Sequence, residues 1–347
     1  MPHPTLTAAL DRVAAGEDLE RAEAAGALEV IMAGEASEAE IAGLLIGLRA
    51  KGETVAELAG LAETMRRLAT PVTTQRDDLV DTAGTGGGLS TFNISTTAAL
   101  VAAGAGCAVA KHGNRSATSR SGSADVLEAL GARIDLVPEA VGECIDAVGF
   151  GFMFAPAHHA ATRWVVPVRK ALAVRTVFNF LGPLTNPAGA TRQVIGVSDR
   201  SFLDTMAGAL AELGVQRALL VSSHDGLDEL SVCGPTDVVE VTGGAKGYDI
   251  HRHTVTPDDV GLASAPAGSF SGGSPAENAA VTRRVLAGQS GPVRDVTVLN
   301  AGAAILAAGR AESLAAGARA AEAAIDAGAA ADLLERFVAQ THALAPA

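Results

Sequence analysis

The stretch from Asp81 to Thr96, DTAGTGGGLSTFNIST, follows two apolar residues and precedes the alanine-rich segment 97–105. An apolar run, a glycine-rich turn and a helical segment in that order are typical of a parallel sheet with helical crossovers. Glycines let backbone N–H groups approach a ligand, and a helix N-terminus adds a positive dipole. We therefore expect an α/β fold with a phosphate or diphosphate site directly after this first strand.

Two well-known nucleotide motifs are absent from this stretch. It lacks the Gly-Lys-Ser/Thr of a P-loop, and it does not match G-x-G-x-x-G followed some twenty residues later by an acidic residue. A glycine cluster alone is equally compatible with a structural turn. The hydrogen-bonding side chains of TFNIST, which follow at once, favour the phosphate interpretation.

Strand-like runs alternate with helical segments along the rest of the chain. They are LVDTAG at 79–84, CAVAKHG at 107–113, ARIDLV at 132–137, GFGFMF at 149–154, RQVIGVS at 192–198, RALLVSS at 217–223 and TDVVEVT at 236–242. This alternation predicts a mostly parallel central sheet, in which ligands bind outside the carboxyl ends of the strands. The glycine-rich loop, KHGNR at 111–115 and HDGLDELS at 224–231 should then meet at one edge.

Helical signals dominate both ends of the chain. Ser37 with Glu40, and Thr54 with Glu57, form capping boxes in front of amphipathic stretches. We expect a small all-helical domain at 1–70, joined by a returning segment near 165–190, and a large α/β domain at 79–345. Helices should fill 276–345.

Composition limits the possible partners. The 347 residues carry a formal net charge of −13 and only 3% aromatic side chains, which argues against nucleic-acid binding. The three cysteines lie far apart, no apolar stretch is suited to crossing a membrane, and the first residues lack a basic leader. We expect a cytoplasmic protein with no membrane contact.

Several polar groups could carry chemistry, and each also has a structural explanation. The KHGNR turn supplies cations and donors but also suits a solvated turn. Asp228 and Glu229 are either a surface pair or, opposite a diphosphate, Mg²⁺ ligands. His158 and His159 lack zinc spacing, and Arg169 is one of several cations in the segment 165–190.

Five motifs occur in an order that resembles the anthranilate phosphoribosyltransferase family: GTGG with TFNIST, KHGNR with GSADVLEALG, GFMFAP with HH, RTVFNFLGPLTNP, and DELS. The resemblance covers nearly the whole chain. It implies a hinged, usually homodimeric enzyme of tryptophan biosynthesis that uses Mg²⁺. The family reaction moves phosphoribose from phosphoribosyl pyrophosphate (PRPP) to the amine of anthranilate.

The resemblance also implies which residues bind each substrate. The PRPP residues would be Gly84, Thr85, Gly86, Gly87, Gly88, Thr91, Asn93, Ile94, Ser95, Thr96, Lys111, Ser119 and Ser123. The anthranilate residues would be Gly84, His112, Asn114, His159 and Arg169, with Arg169 pairing the carboxylate. The metal ligands would be Ser95, Asp228 and Glu229. No residue is assigned as a catalytic acid or base, because the aromatic amine is a neutral nucleophile that needs positioning.

The chain departs from the family pattern at three places. Gly88 stands where the family commonly has Asp, the usual His-Pro-Ala-Met reads His-Ala-Ala-Thr at 159–162, and Thr118 replaces a Ser. Two alternatives stay open at this point: a pyrimidine nucleoside phosphorylase-like enzyme of the same fold, and a catalytically silent or nucleic-acid-binding relative.

Overall fold

The computed structural model describes residues 2–116, 120–244 and 247–345. The described chain begins with four helices: α1 (Pro4–Ala14), α2 (Arg21–Ala33), α3 (Glu38–Lys51) and α4 (Val55–Leu68). Both predicted capping boxes are present: Ser37 and Thr54 are the N-cap residues of α3 and α4, and they exchange hydrogen bonds with Glu40 and Glu57. Gly34 ends α2 in a left-handed conformation, with φ of +78°.

Within these ranges, seven strands form one sheet in the order β3-β2-β1-β4-β5-β6-β7. They are β1 (Leu79–Gly84), β2 (Ala108–Gly113), β3 (Phe150–Phe154), β4 (Arg192–Gly196), β5 (Arg217–Ser223), β6 (Thr236–Gly244) and β7 (Gly247–Val255). The first five are parallel, and β6 and β7 pair antiparallel at one side. The predicted mostly parallel sheet is confirmed.

The strand predicted at 132–137 is wrong. Ala132, Ile134 and Leu136 are buried while Arg133 pairs with Asp135 outside, so the alternation is real. The N–H of Arg133, however, donates to the Thr341 hydroxyl instead of to a neighbouring strand. The segment is an extended stretch that lies against the C-terminal helix (Ala329–Leu344). Burial of every second side chain against that helix produces the same period-two pattern as a strand at the edge of a sheet.

Eleven further α-helices follow in the described chain. They are α5 (Ile94–Gly104), α6 (Ser123–Leu130), α7 (Pro138–Val148), α8 (Ala155–His158), α9 (Val166–Leu172), α10 (Phe178–Leu184), α11 (Leu203–Glu212), α12 (Pro275–Leu286), α13 (Pro292–Ala307), α14 (Leu314–Asp326) and α15 (Ala329–Leu344). None of the helices in the described ranges is long and apolar enough to cross a membrane.

Two hydrophobic cores among the described residues lie on opposite faces of the sheet. Strand β5 shows the division, since Leu219 and Val221 join the core with α5 and α13, whereas Ala218 and Leu220 join the core with α1–α4. Helices α9 and α10 contribute to the second core, so the segment 165–190 packs with the helical start of the chain.

Helices α13 and α14 cross at a pair of glycines. A Cβ on Gly302 would lie 2.6 Å from the backbone nitrogen of Ala318, and a Cβ on Gly317 would overlap the carbonyl of Gly302. The two backbones are therefore in direct contact at this crossing, which only glycine permits.

Strand β1 lies between β2 and β4, and chain order reverses on its two sides. In open α/β sheets this reversal opens a crevice at the carboxyl ends of the strands, where ligands bind. The loops after β1, β2, β4 and β5 all leave the sheet at this edge.

Candidate active site

The glycine-rich loop after β1 folds against the end of β4 and the loop after β5. The Thr85 N–H donates to the Gly196 carbonyl at 2.8 Å, and Gly86 and Gly87 have φ of +65° and +87°. A Cβ on Gly88 would lie only 2.5 Å from Oδ1 of Asp228. The Gly86 N–H donates to the same carboxylate. The glycines thus allow the predicted loop and the predicted acidic pair to meet.

Asp228 and Glu229 are two neighbouring, half-buried carboxylates. Burial, and for Glu229 also the charge of Asp228, raises the pKa of both groups, that of Glu229 to about 8. Glu229 also accepts a hydrogen bond from the Ser95 N–H at the start of α5. The described residues contain no group of three His, Cys, Asp or Glu side chains that could hold a metal by themselves. A hard cation here would need further oxygens from a substrate or water.

The first turn of α5 follows the glycine-rich loop, as predicted. Asn93 occupies the position before the helix, where its Oδ1 accepts hydrogen bonds from the Ser121 hydroxyl and the Asn278 amide. The Thr96 hydroxyl is buried and has no partner within the described residues. Ile94 packs its side chain into the core, so only its backbone can contact a ligand. Thr91 forms a β-bridge with Ser271 just before this turn.

Lys111 lies inside the sheet and is almost fully buried. Its ammonium donates to the carbonyl of Thr82 at 2.5 Å and to the Thr82 hydroxyl at 3.1 Å. Burial lowers its pKa, and the charges of Asp81 and Glu229 oppose that shift. An ammonium has three donors, so one remains for a further acceptor. The predicted phosphate contact of Lys111 stays a prediction.

His112 and His159 lie side by side with ring centroids 5.1 Å apart. Burial lowers the pKa of His112 to about 3 and that of His159 to about 4, so both rings are neutral near pH 7. Nδ1 of His112 lies 3.2 Å from the carbonyl of Gly182, and a ring nitrogen of His159 bonds the carbonyl of Thr185. A carbonyl only accepts, so the bonded nitrogens carry the protons. Both Nε2 atoms are then acceptors, buried and without partners in the described chain.

Arg169 is half-buried on α9, and burial lowers its pKa. Its guanidinium lies 5.6 Å from the ring centroid of Phe178 and forms no ion pair with any carboxylate of the described residues. Asn114 is exposed, and its Oδ1 accepts from the Arg115 N–H, which leaves the amide nitrogen available. Ser123 begins α6, and the predicted residue Ser119 lies outside the described residues.

Sequence reasoning missed two groups that shape this edge. Asp81, buried at the base of β1, accepts from the His112 N–H at 3.1 Å and from the Asn186 amide at 2.7 Å. Arg175 donates to the Gly86 carbonyl. The available signals were an acid inside an apolar strand and one cation among several near 165–190. Neither signal indicates which residues these groups contact in the folded protein.

Comparisons with known proteins agree over nearly the whole chain. The family described as "Glycosyl transferase family, helical bundle domain" matches residues 7–69, and "Glycosyl transferase family, a/b domain" matches 76–331. The anthranilate phosphoribosyltransferase of Moorella thermoacetica is 51% identical over 335 residues, covering 96% of this chain and 98% of the relative. That of Symbiobacterium thermophilum is 52% identical over 340 residues, covering 98% of each.

Solved structures agree as well. The anthranilate phosphoribosyltransferase of Thermus thermophilus superimposes with a TM-score of 0.90 at 48% identity, covering 96% of this chain and 99% of that chain. The Saccharomyces cerevisiae enzyme in complex with PRPP and Mg superimposes with a TM-score of 0.89 at 27% identity, covering 98% of each chain.

Proposed function

Because the chain belongs to the anthranilate phosphoribosyltransferase family, we propose that the edge of the sheet around β1 is where it transfers phosphoribose from PRPP to anthranilate. The products are phosphoribosylanthranilate and diphosphate, and the reaction is a step of tryptophan biosynthesis. The relatives' identity over the full length favours this activity over a nucleoside phosphorylase or a silent nucleic-acid-binding protein.

One observation carries the proposal most directly: the carboxylate of Asp228 lies against the glycine-rich loop. The Gly86 N–H donates to it, and the missing side chain of Gly88 leaves room for it. A carboxylate beside an anion-binding loop would repel the anion unless a cation lies between them. A diphosphate with its divalent cation satisfies both groups.

We assign the Mg²⁺ ligands to Asp228, Glu229 and Ser95. The donor set fits, since two half-buried carboxylates lie beside the first turn of α5 and need a positive charge to offset their desolvation. When bound, the ion supplies charge stabilisation for the departing diphosphate. The PRPP and Mg complex of the yeast relative supports this assignment.

The loop and α5 hold the PRPP end of the reaction. The residues are those that the family resemblance implies, from Gly84 to Thr96 with Lys111, Ser119 and Ser123. As the bond from the anomeric carbon to the diphosphate breaks, negative charge grows on the leaving oxygens. Backbone N–H groups that are already fixed around these oxygens stabilise that charge without reorganisation.

The anthranilate end consists of His112, His159, Asn114, Gly84 and Arg169. The two neutral imidazoles offer Nε2 acceptors, which suit the two N–H bonds of an aromatic amine and orient its lone pair. Arg169 has a guanidinium with no carboxylate partner in the described chain, which suits the carboxylate of anthranilate. Neutral rings avoid competing with Arg169 for that carboxylate.

Three further features stay proposals: the first follows from the family resemblance, and the other two follow from composition and local sequence patterns. We propose a homodimer, a cytoplasmic location, and domain limits of 1–70 and 79–345 with the returning segment 165–190. Light scattering coupled to gel filtration tests the first, with a monomer mass as the contrary result.

The decisive experiment follows the loss of anthranilate fluorescence on addition of PRPP across a Mg²⁺ titration. We expect a loss that requires both PRPP and Mg²⁺. A folded protein that leaves the fluorescence unchanged at every Mg²⁺ concentration would contradict the proposal. The variant with Asp228→Asn and Glu229→Gln serves as the matched control without metal ligands.

A further inference from the structure

Arg175 connects two parts of the molecule that are distant in sequence. It lies between α9 and α10, and its backbone carbonyl accepts a hydrogen bond of 2.6 Å from Nη1 of Arg49 near the end of α3. Its own Nη1 donates to the carbonyl of Gly86 at 2.6 Å. A single residue therefore joins the helical start of the chain to the glycine-rich loop.

The loop is built to receive this guanidinium. Gly87 has φ of +87°, and a Cβ at this position would overlap Nη1 of Arg175. The Ser198 hydroxyl donates to the same Gly86 carbonyl at 2.8 Å. On its other side the Gly86 N–H donates to the Asp228 carboxylate. Arg175 and Asp228 thus hold the carbonyl and the N–H of one residue in the loop.

The guanidinium of Arg175 can donate a further hydrogen bond besides the one to Gly86. Its Nη2 is buried and has no hydrogen-bond partner within the described residues. A buried donor left unpaired is unfavourable, and purely structural arginines usually have their donors paired. The ring centroid of Phe180 lies 5.9 Å from the guanidinium carbon and supports one side.

We propose that Arg175 is a positioning residue for PRPP: it fixes the glycine-rich loop in its diphosphate-binding conformation and ties that loop to the helical start of the chain through Arg49. The inference rests on the proposed function and adds a residue outside the set implied by the family resemblance. The anthranilate site depends less on this contact, because four of its five proposed residues (His112, Asn114, His159 and Arg169) lie outside the glycine-rich loop.

The test compares Arg175→Met, Arg175→Lys and the control Lys170→Ala, an exposed neighbour. KM for each substrate comes from anthranilate fluorescence, and Kd for PRPP with Mg²⁺ comes from calorimetry without anthranilate. We expect Arg175→Met to raise KM and Kd for PRPP about tenfold or more, because a hydrogen bond to a charged group is lost. KM for anthranilate should change less than about threefold on the same scale. Arg175→Lys should restore part of the loss.

Equal increases in both KM values, or a Kd for PRPP within about twofold of the parent protein, would overturn the proposal. If Arg175→Met does not fold, Arg175→Lys still tests the proposal, because it should also raise KM for PRPP more than KM for anthranilate. A parent protein that binds no PRPP at all would instead contradict the proposed function.

Arg49→Met tests the connection to the helical start of the chain. The variant should raise Kd for PRPP in the same direction, and combining it with Arg175→Met should add little, because the two residues act in series. Fully additive effects would show that the two residues act independently and would overturn the coupling.

Discussion

The imidazole rings of His112 and His159 lie 5.1 Å apart, and each keeps a buried Nε2 with no partner in the described chain. His112 lies in β2 and His159 directly follows α8, so the pair exists only in the folded protein. Its neutral state has consequences for stability as well as for substrate binding.

Acidification should destabilise the protein through these rings. Their folded pKa values, about 3 for His112 and about 4 for His159, lie below the unfolded value of 6.5. Their contribution is complete above the unfolded pKa and is lost as pH falls towards the folded values, by about 1.4 kcal/mol per pH unit for each ring. Urea unfolding at about pH 7 and about pH 5.5 measures this. His159→Gln should show a smaller pH dependence, whereas the exposed control His251→Gln should match the parent protein.

Arg169→Ala should affect one substrate selectively. Removing the guanidinium removes the proposed partner of the anthranilate carboxylate, which is worth about 1.5–3 kcal/mol, or roughly ten- to hundredfold in KM for anthranilate. KM for PRPP should stay nearly unchanged. Steady-state kinetics with each substrate varied in turn measures both values, and a parallel rise in the two would argue against the assignment.

Glu229→Gln should separate activity from stability. Without Mg²⁺, Glu229 and Asp228 are two half-buried neighbouring carboxylates, so one neutral amide should raise the free energy of unfolding by about 1–3 kcal/mol. The same change should abolish Mg²⁺-dependent turnover. Thermal unfolding with and without Mg²⁺ is the measurement. A parent protein and variant that Mg²⁺ stabilises equally would remove Glu229 from the metal site.

Gly88→Ala tests the close contact with Asp228. The new Cβ would lie 2.5 Å from Oδ1 and 3.0 Å from the backbone nitrogen of Asp228, so the carboxylate or the loop must move. We expect the Mg²⁺ concentration at half-maximal rate to rise roughly threefold to tenfold, equivalent to about 1 kcal/mol. Gly182→Ala is a suitable control for adding a methyl group, because open space surrounds its Cβ position. An unchanged Mg²⁺ requirement for Gly88→Ala would contradict the contact.

Ala173→Gly should stabilise the chain. Ala173 has φ of +52° and is the only non-glycine residue of the described ranges with positive φ. The left-handed conformation is unfavourable for a residue with a Cβ by about 1–2 kcal/mol, and the added chain entropy of glycine offsets about half of that. A gain of about 0.5–1 kcal/mol in unfolding free energy is expected. Ala171→Gly, inside α9, should be destabilising in the same denaturation assay.

Local signals were strong enough to place most helices and strands. The capping boxes at Ser37 and Thr54 and the glycine-rich turn after β1 are each decided by a few neighbouring residues. The error at 132–137 has a physical origin, because burial on one side produces the same alternation whether the partner is a strand or a helix. Sequence patterns report which face is buried, but not what covers it.

The site was predictable only where its parts form recognisable motifs. Asp228, Glu229 and the loop from Gly84 belong to such motifs. Arg175 does not, because its importance arises from a carbonyl 89 positions away along the chain. Asp81 likewise acts through the β2 backbone and Asn186. Contacts between side chains and distant backbone leave no local pattern.

The glycine crossing of α13 and α14 limits how this family member can evolve. Where Gly302 meets Gly317, no side chain stands between the two backbones, so no neighbouring substitution can compensate for a larger residue. On either side of the crossing, the alanine-lined stretches of the two helices can accept substitutions between small residues. At the crossing itself any residue larger than glycine would force the two helices apart, so the close spacing of α13 and α14 depends on these two positions.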